Sequence, residues 1–247
     1  MKIYDTLIVG SGYFATGYAA ANGDAIICEE HQICDTGFYL PLRSFRYAPY
    51  TPKTEEGVRL FEIFNSVGLF SESEQNTNGF EAALCQYILE KKVNILLKCR
   101  VISTERTDSG VYDVTVQTNE GLSHIFARKI LSTVPDVQSR RLTVLFVSDN
   151  IENDKARLLS AFSGAKIESA FYKGRYALHI DAPKIDENRV KLAVYEKWRE
   201  LDTGAKILYI APVFYDEECK RETCDFSYEN PVAAFETGYL HAEGVEK

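Results

Sequence analysis

Residues 4–30, YDTLIVGSGYFATGYAAANGDAIICEE, pass from an apolar strand through a glycine turn and a short helix into a second apolar strand ending on two acids. This order is the layout of a dinucleotide-binding β-α-β unit. Gly10, Gly12 and Ala15 stand at G-x-G-x-x-A spacing directly after Leu7-Ile8-Val9, with Ser11 between the glycines. Glu29 and Glu30 follow the first glycine by 19 and 20 positions, where a ribose-binding acid is expected. The residue types suit the task. Gly10 permits a tight turn out of the strand, Gly12 has no Cβ to keep the backbone from a pyrophosphate, and Ala15 lets the helix approach the sheet. The helix N-terminus offers unpaired amides and a positive dipole end to the diphosphate. A carboxylate at the end of the second strand accepts from ribose hydroxyls and disfavours a 2′-phosphate. The competing reading is a ligand-free strand-to-helix turn, and the joint placement of strand, helix and acid argues against it.

Downstream, 35–52 mixes Gly37, Pro41, Pro49 and Pro52 with aromatics and with Arg43 and Arg46, and reads as an irregular segment suited to lining a pocket. EEGVRLFEIFNSVGLF, after Thr54, has near-helical apolar spacing, and a second helix is expected from Gly79 to about Lys92. VNILLKCRVISTER, VYDVTVQTNEG and LSHIFARKILSTVP then read as three strands, with Asp108-Ser109-Gly110 and Asn119-Glu120-Gly121 as turns, forming a β-meander. Beyond Pro135, RRLTVLFVSD, ALHIDAP, RVKLAVYEKW and AKILYIAPVFYDE look strand-like, with a helix at 153–162. The tail NPVAAFETGYLHAEGVEK is expected to return to the first domain as a short helix. The fold class is therefore α/β: a Rossmann-like FAD/NAD(P)-binding domain with a β-meander, plus a mainly antiparallel β substrate domain. The expected division is 1–139, completed by 225–247, for the dinucleotide and 140–224 for substrate or interaction.

A net charge of −8 opposes a nucleic-acid surface, which requires basic residues to neutralise phosphates. No apolar run approaches the ~18 residues of a membrane span. Met-Lys leads straight into the first strand without a signal-peptide layout, so a cytoplasmic protein acting on a small molecule is expected. Six cysteines without a C-x-x-C, and four histidines without an i,i+4 pair, give no disulfide scaffold and no metal motif.

The GSGYFA unit with its terminal acids, the helix-plus-strand GFEAALCQYILEKKVNILLKCRVISTE, the meander VYDVTVQTNEGLSHIFARKILSTV and the β-rich region after it together resemble flavoproteins with a glutathione-reductase-like FAD domain, including amine oxidases and D-amino-acid-oxidase-like enzymes. The resemblance covers roughly the first 135 residues, in pieces. It implies FAD as cofactor, with Gly10, Gly12 and Ala15 at the pyrophosphate, Glu29 or Glu30 at the adenosine ribose, and backbone at Val101 facing adenine. Ser132-Thr133-Val134 resembles the family's loop after the meander, commonly A-T-G, which brings Thr133 to the cofactor although the glycine is missing. The acid segment that such proteins carry near the C-terminus has its nearest match in Phe235-Glu236-Thr237-Gly238. The implied function is an FAD-dependent oxidoreductase removing a hydride from a small amine or hydroxy-acid. The alternative is a non-catalytic nucleotide-binding or interaction protein on a degenerate flavoprotein scaffold.

For substrate, Arg43 and Arg46 follow the second strand, where a guanidinium can hold a carboxylate or stabilise reduced flavin. Arg175 and Tyr176, within YKGRYALH, form the other candidate group. Surface solvation for the arginines and an aromatic packing face for Tyr176 are the competing readings.

Overall fold

The computed structural model describes residues 2–39, 41–42, 50–70, 76, 79–134, 140–170, 173–182, 186–212, 214–215 and 219–244. The chain opens with β1 (Ile3–Val9), α1 (Tyr13–Ala21) and β2 (Ala25–Glu29), continues through α2 (Glu55–Ser66), α3 (Phe80–Lys91) and β3 (Ile95–Leu97), and enters the meander β4 (Arg100–Arg106), β5 (Tyr112–Thr118) and β6 (Gly121–Ser132). Among the described residues these strands form a six-stranded sheet in the order β3-β2-β1-β6-β5-β4. β3, β2, β1 and β6 run parallel, whereas β6, β5 and β4 pair antiparallel.

The long strand β6 joins the two halves. Its first part pairs with β5 from Thr118↔Gly121 to Tyr112↔Ala127, and its second runs alongside β1 from Ile3↔Phe126 to Val9↔Ser132. The period of two along β1 and β2 then sorts side chains between two cores. Ile8 and Ile27 face α1, with Phe14, Ala15 and Tyr18. Leu7, Ile26 and Cys28 face the meander, with Cys99, Val114, Val116, Ile125 and Ala127. Burial on both faces explains why β1 and β2 read as continuous apolar runs.

VNILLKCRVISTER is not one strand. Lys98 takes a left-handed conformation (φ 53°) and splits it into β3 and β4, which lie at opposite ends of the strand order. The Lys98 N–H donates to His31 O (3.0 Å) and the Cys99 N–H to Glu29 O (2.8 Å), so the sheet curls and the start of β4 stands beside the end of β2.

α2 begins at Thr54, whose side chain accepts from the Gly57 N–H, and carries Glu55 and Glu56 in its first turn, favourable to the helix dipole. It packs with α3 around Tyr13, Phe38, Phe64 and Phe80, the last two stacked at 5.1 Å between ring centroids. The tail forms α6 (Pro231–Glu243), capped by the Asn230 side chain accepting from the Val232 N–H, with Pro231 at the first helical position. α6 lies directly on α1, with Gly17 and Gly238 at the closest approach of the two backbones.

A second, antiparallel sheet takes the order β10-β7-β9-β8. Its strands are β7 (Arg140–Val147), β8 (Lys166–Ser169), β9 (Arg175–Ala182) and β10 (Lys206–Ile210), accompanied by α4 (Ile151–Ala161) and α5 (Glu187–Glu200). Leu142, Val144, Phe146 and Leu178 of the sheet meet Leu158 of α4 and Val190, Val194 and Trp198 of α5 in one core. RVKLAVYEKW is therefore helical, not a strand. Its Val190-Leu192-Val194 alternation imitates a strand, but the buried positions recur every four residues while Leu192 and Tyr195 are exposed. Asp186 starts this helix by accepting from the Arg189 N–H. No helix among the described residues is long and apolar enough to cross a membrane.

Candidate functional site

The ends of β1, β2 and β6 and the start of β4 open onto a cavity of about 430 Å³, in the lower part of the ~300–1,000 Å³ range of small-molecule sites. Gly10, Ser11, Glu29, Glu30, Val101 and Thr133 all line it. They come from four separate segments, and the cavity lies outside the carboxyl ends of parallel strands, where open α/β sheets bind ligands. Arg140, Glu187 and Phe214 close it from the side of the second sheet. Arg140 pairs with Glu187 and lies 4.5 Å over the Phe214 ring.

The glycine turn is tight for identifiable reasons. Gly10 has φ +92°, and a Cβ there would meet Thr133 Oγ1 at 2.7 Å and Val134 Cγ2 at 2.9 Å. Thr133 is fixed by its N–H and Oγ1, which both donate to Val9 O (2.9 and 3.2 Å). Ser11 Oγ donates to Cys34 O (2.7 Å) and Thr36 Oγ1 donates to Ser11 O (2.7 Å), anchoring the segment after β2 to the turn. Gly12 and Ala15 do not line the cavity; Gly12 precedes α1 with φ +133°, and Ala15 is fully buried within α1, in the core shared with Ile8 and Ile27 of the sheet.

Glu29 is buried, and its carboxylate closes a small network. Oε2 accepts from the Ser11 N–H (2.7 Å), while Oε1 accepts from the His31 N–H (2.7 Å) and pairs with His31 Nδ1 (2.6 Å). Burial pushes the Glu29 carboxyl up, but the hydrogen bonds from His31 and Ser11 outweigh it and hold the group below its ordinary range. The bond to Glu29 raises His31 in turn, against desolvation. Glu30 is exposed at the rim, 3.9 Å from Arg100 Nε.

The acid that reaches the helix start is Asp225, in a short 3₁₀ turn (Asp225–Ser227) ahead of α6. The Tyr13 N–H donates to Asp225 Oδ2 (2.7 Å) and the Phe14 N–H to Oδ1 (2.9 Å). These are amides of the first turn of α1, the donors an anion seeks. Gly12 and Gly37 admit the carboxylate: a Cβ on Gly12 would stand 3.0 Å from Asp225 Cγ with Oδ2 nearer still, and one on Gly37 would stand 2.6 Å from Oδ2. Thr223 Oγ1 donates to Ser132 O (3.0 Å), which ties this segment to the end of β6.

Glu236, the expected C-terminal acid, serves elsewhere. It is 1% exposed, and its Oε1 accepts from the Lys53 N–H, the Thr54 N–H and Thr54 Oγ1 while Oε2 accepts from the Tyr50 hydroxyl. It thus joins α6 to the start of α2, away from the cavity. Arg175 and Tyr176 also lie apart from the cavity lining; Arg175 is exposed on β9, and Tyr176 packs 5.5 Å from Phe146. Arg43 and Arg46 fall outside the described residues. Asp225 and Arg140 belong to no sequence motif, and the one local signal for Asp225 is its place shortly before the Asn230-Pro231 helix start.

No family profile and no curated protein matches the sequence. Solved structures do match in fold. Aklavinone-11 hydroxylase, seen in a complex with FAD and aklavinone, superposes with a TM-score of 0.55 at 13% identity over 98% of this chain and 62% of its own. The anhydrotetracycline hydroxylase OxyS from Streptomyces rimosus gives 0.57 at 15% identity over 85% of this chain and 52% of its own. A geranylgeranyl bacteriochlorophyll reductase-like protein from Thermoplasma acidophilum gives 0.56 at 10% identity over 98% and 78%. The chain thus spans between half and two thirds of the two hydroxylases. The fold is shared with these two hydroxylases and the reductase-like protein, and the three do not bear on the amine-oxidase or D-amino-acid-oxidase side of the sequence resemblance.

Proposed function

We propose that this protein is an FAD-binding oxidoreductase whose cavity seats the adenosine end of the cofactor. The convergence of Gly10 and Ser11, Glu29, Val101 and Thr133 on one cavity at the ends of parallel strands carries the reading. A carboxylate has about four acceptor positions. Glu29 uses three of them on Ser11 and His31, leaving one for a ribose hydroxyl. The charge that the hydrogen bonds keep on Glu29 disfavours a 2′-phosphate. Val9, Val101, Cys99 and Phe226 supply apolar walls for a purine.

The residues fit the nucleoside. As arranged they do not fit the diphosphate, because Asp225 holds the two helix amides that would receive it. A bound flavin would supply hydride acceptance, and the chain's own part is binding and orientation. In this reading 1–139 with 225–247 form the cofactor unit and 140–224 the substrate side. Hydride removal from a small amine or hydroxy-acid follows from the sequence resemblance. A second reading, a nucleotide-binding protein without redox chemistry, draws support from the same Asp225 contact.

The test is an absorption spectrum of the purified protein after incubation with excess FAD and removal of the unbound fraction, beside calorimetric titration with adenosine. Retained flavin bands support the first reading. Adenosine binding without retained flavin supports the second, and binding of neither overturns both.

A further inference from the structure

We propose that Asp225 is a built-in occupant of the diphosphate position, so that the cavity as folded takes an adenine nucleoside in preference to its phosphorylated forms, and FAD enters only by displacing this carboxylate. The inference rests on the adenosine reading of the cavity and adds to it a specificity determinant of opposite sign to an ordinary cofactor-binding acid.

Three observations place the carboxylate there. Both its oxygens accept first-turn amides of α1, at 2.7 Å from Tyr13 N and 2.9 Å from Phe14 N. Such a two-oxygen contact is how a phosphate sits on a helix N-terminus. The two nearest glycines, Gly12 and Gly37, have their missing side-chain space filled by Asp225 itself. And Asp225 lies in the wall of the cavity that Glu29 and Val101 also line, 6% exposed, so a ligand running from Glu29 towards the helix meets it directly.

The electrostatics then decide between ligands. A diphosphate entering beside Asp225 would bring negative charge against a buried carboxylate and find its two best donors taken. Like charges in a poorly solvated site repel strongly, and a buried polar group without its partner is costly. An uncharged nucleoside meets neither penalty, because its ribose is bound at Glu29 and its base between apolar walls. An acid that assists a cofactor would do the reverse: its removal would weaken FAD binding.

Asp225→Ser frees the Tyr13 and Phe14 amides and removes the charge. The full-length wild type and this variant are titrated with adenosine, ADP, FAD and inorganic pyrophosphate by calorimetry, with urea unfolding as a check on folding. The expected result is that wild type binds ADP no more tightly than adenosine, that the variant binds FAD and ADP at least tenfold more tightly than wild type, that adenosine affinity changes less than twofold, and that pyrophosphate binds the variant alone. Adenosine binding by both proteins with unchanged or weaker FAD binding by the variant would overturn the role of Asp225 and leave the adenosine site standing. Adenosine binding by neither would remove the site and this inference with it. Should Asp225→Ser not fold, Asp225→Asn, which keeps one acceptor for the helix, is expected to shift FAD affinity about threefold in the same direction, and no shift would overturn the proposal. The wild-type comparison of ADP with adenosine needs no variant, and a tenfold preference for ADP would also overturn it.

Discussion

Gly238→Ala is expected to destabilise the protein, although the same exchange in an exposed helix stabilises by about 1 kcal/mol. Gly238 sits in the middle of α6, facing α1. A Cβ there would stand 2.8 Å from the Phe14 carbonyl carbon and 3.0 Å from Tyr18 N, with Phe14 O closer than either. Carbon atoms in good contact are ~3.5–4.0 Å apart, so the helices must separate by roughly 1 Å. Every opposing atom is backbone, and no rotamer change relieves the contact. A gap of ~0.5–1 Å forfeits a quarter to a half of the dispersion energy between the atoms it parts, and overpacked cores lose ~1–3 kcal/mol. After the helix-propensity gain of about 1 kcal/mol the net loss should be about 1 kcal/mol, a fall in Tm of roughly 2–4 °C for a chain of this size. Gly17→Ala meets the mirror situation, with the Phe235 carbonyl carbon at 2.8 Å and Tyr239 N at 3.1 Å. One separation accommodates both methyl groups, so the double variant should lose less than the two single losses combined. Urea unfolding followed by circular dichroism gives the three midpoints. A Gly238→Ala protein as stable as wild type, or more so, would refute the close crossing of α1 and α6.

Other perturbations test the buried acids. Glu236→Ala strands the Lys53 and Thr54 amides and should cost about 3 kcal/mol or more, read from urea midpoints, while Glu236→Gln, which keeps an acceptor, should cost clearly less; equal losses would contradict the hydrogen-bonding role. Glu29→Gln should weaken adenosine binding about tenfold, the loss of one charged hydrogen bond, and abolish discrimination against a 2′-phosphate; calorimetry with adenosine and 2′-AMP reads both, and unchanged binding would remove Glu29 from the ribose position. Burial raises the Asp35 carboxyl to about 7, although the Tyr39 and Phe38 amides and the Tyr13 hydroxyl pull it down. The folded state therefore holds this proton more tightly than the unfolded chain, so the stability that Asp35 contributes is fully present below about pH 4 and is lost as pH rises towards 7. Asp35→Asn keeps an acceptor for the two amides and should gain stability relative to wild type between pH 5 and pH 8; an equal difference in urea midpoint at both pH values would contradict the assignment.

What the sequence made legible was what short range encodes. The unit from β1 to β2 is written in residues within thirty positions of each other, and the turns of the meander are marked by Asp108-Ser109-Gly110 and Asn119-Glu120. The N-cap and proline at Asn230-Pro231 likewise start the returning helix where local chemistry puts it. Features decided by tertiary contact were not legible. Lys98 carries no turn signal of its own, and its left-handed conformation goes with contacts to the end of β2 and the residues just after it, where Glu29 O and His31 O accept from the Cys99 and Lys98 amides. Residues 189–198 satisfy two periodicities at once, and only the core shared with α4 and the second sheet selects the helix.

The candidate site divides in the same way. Glu29 is 18 residues from the Ser11 amide it accepts from, within reach of a motif, whereas Asp225 is 212 residues from Tyr13 and its one local mark is its place shortly before the Asn230-Pro231 helix start. The glycine spacing encodes the shape of a cradle: backbone at positive φ, no Cβ in the path of an anion, helix amides pointed at it. It does not encode which anion fills that cradle. A phosphate and a carboxylate place the same demands on those amides and on Gly12, so a chain that has exchanged one for the other keeps the fingerprint intact. The identity of the occupant is therefore a question for the residues that fold back onto the turn, and in this protein those residues lie in the last quarter of the chain.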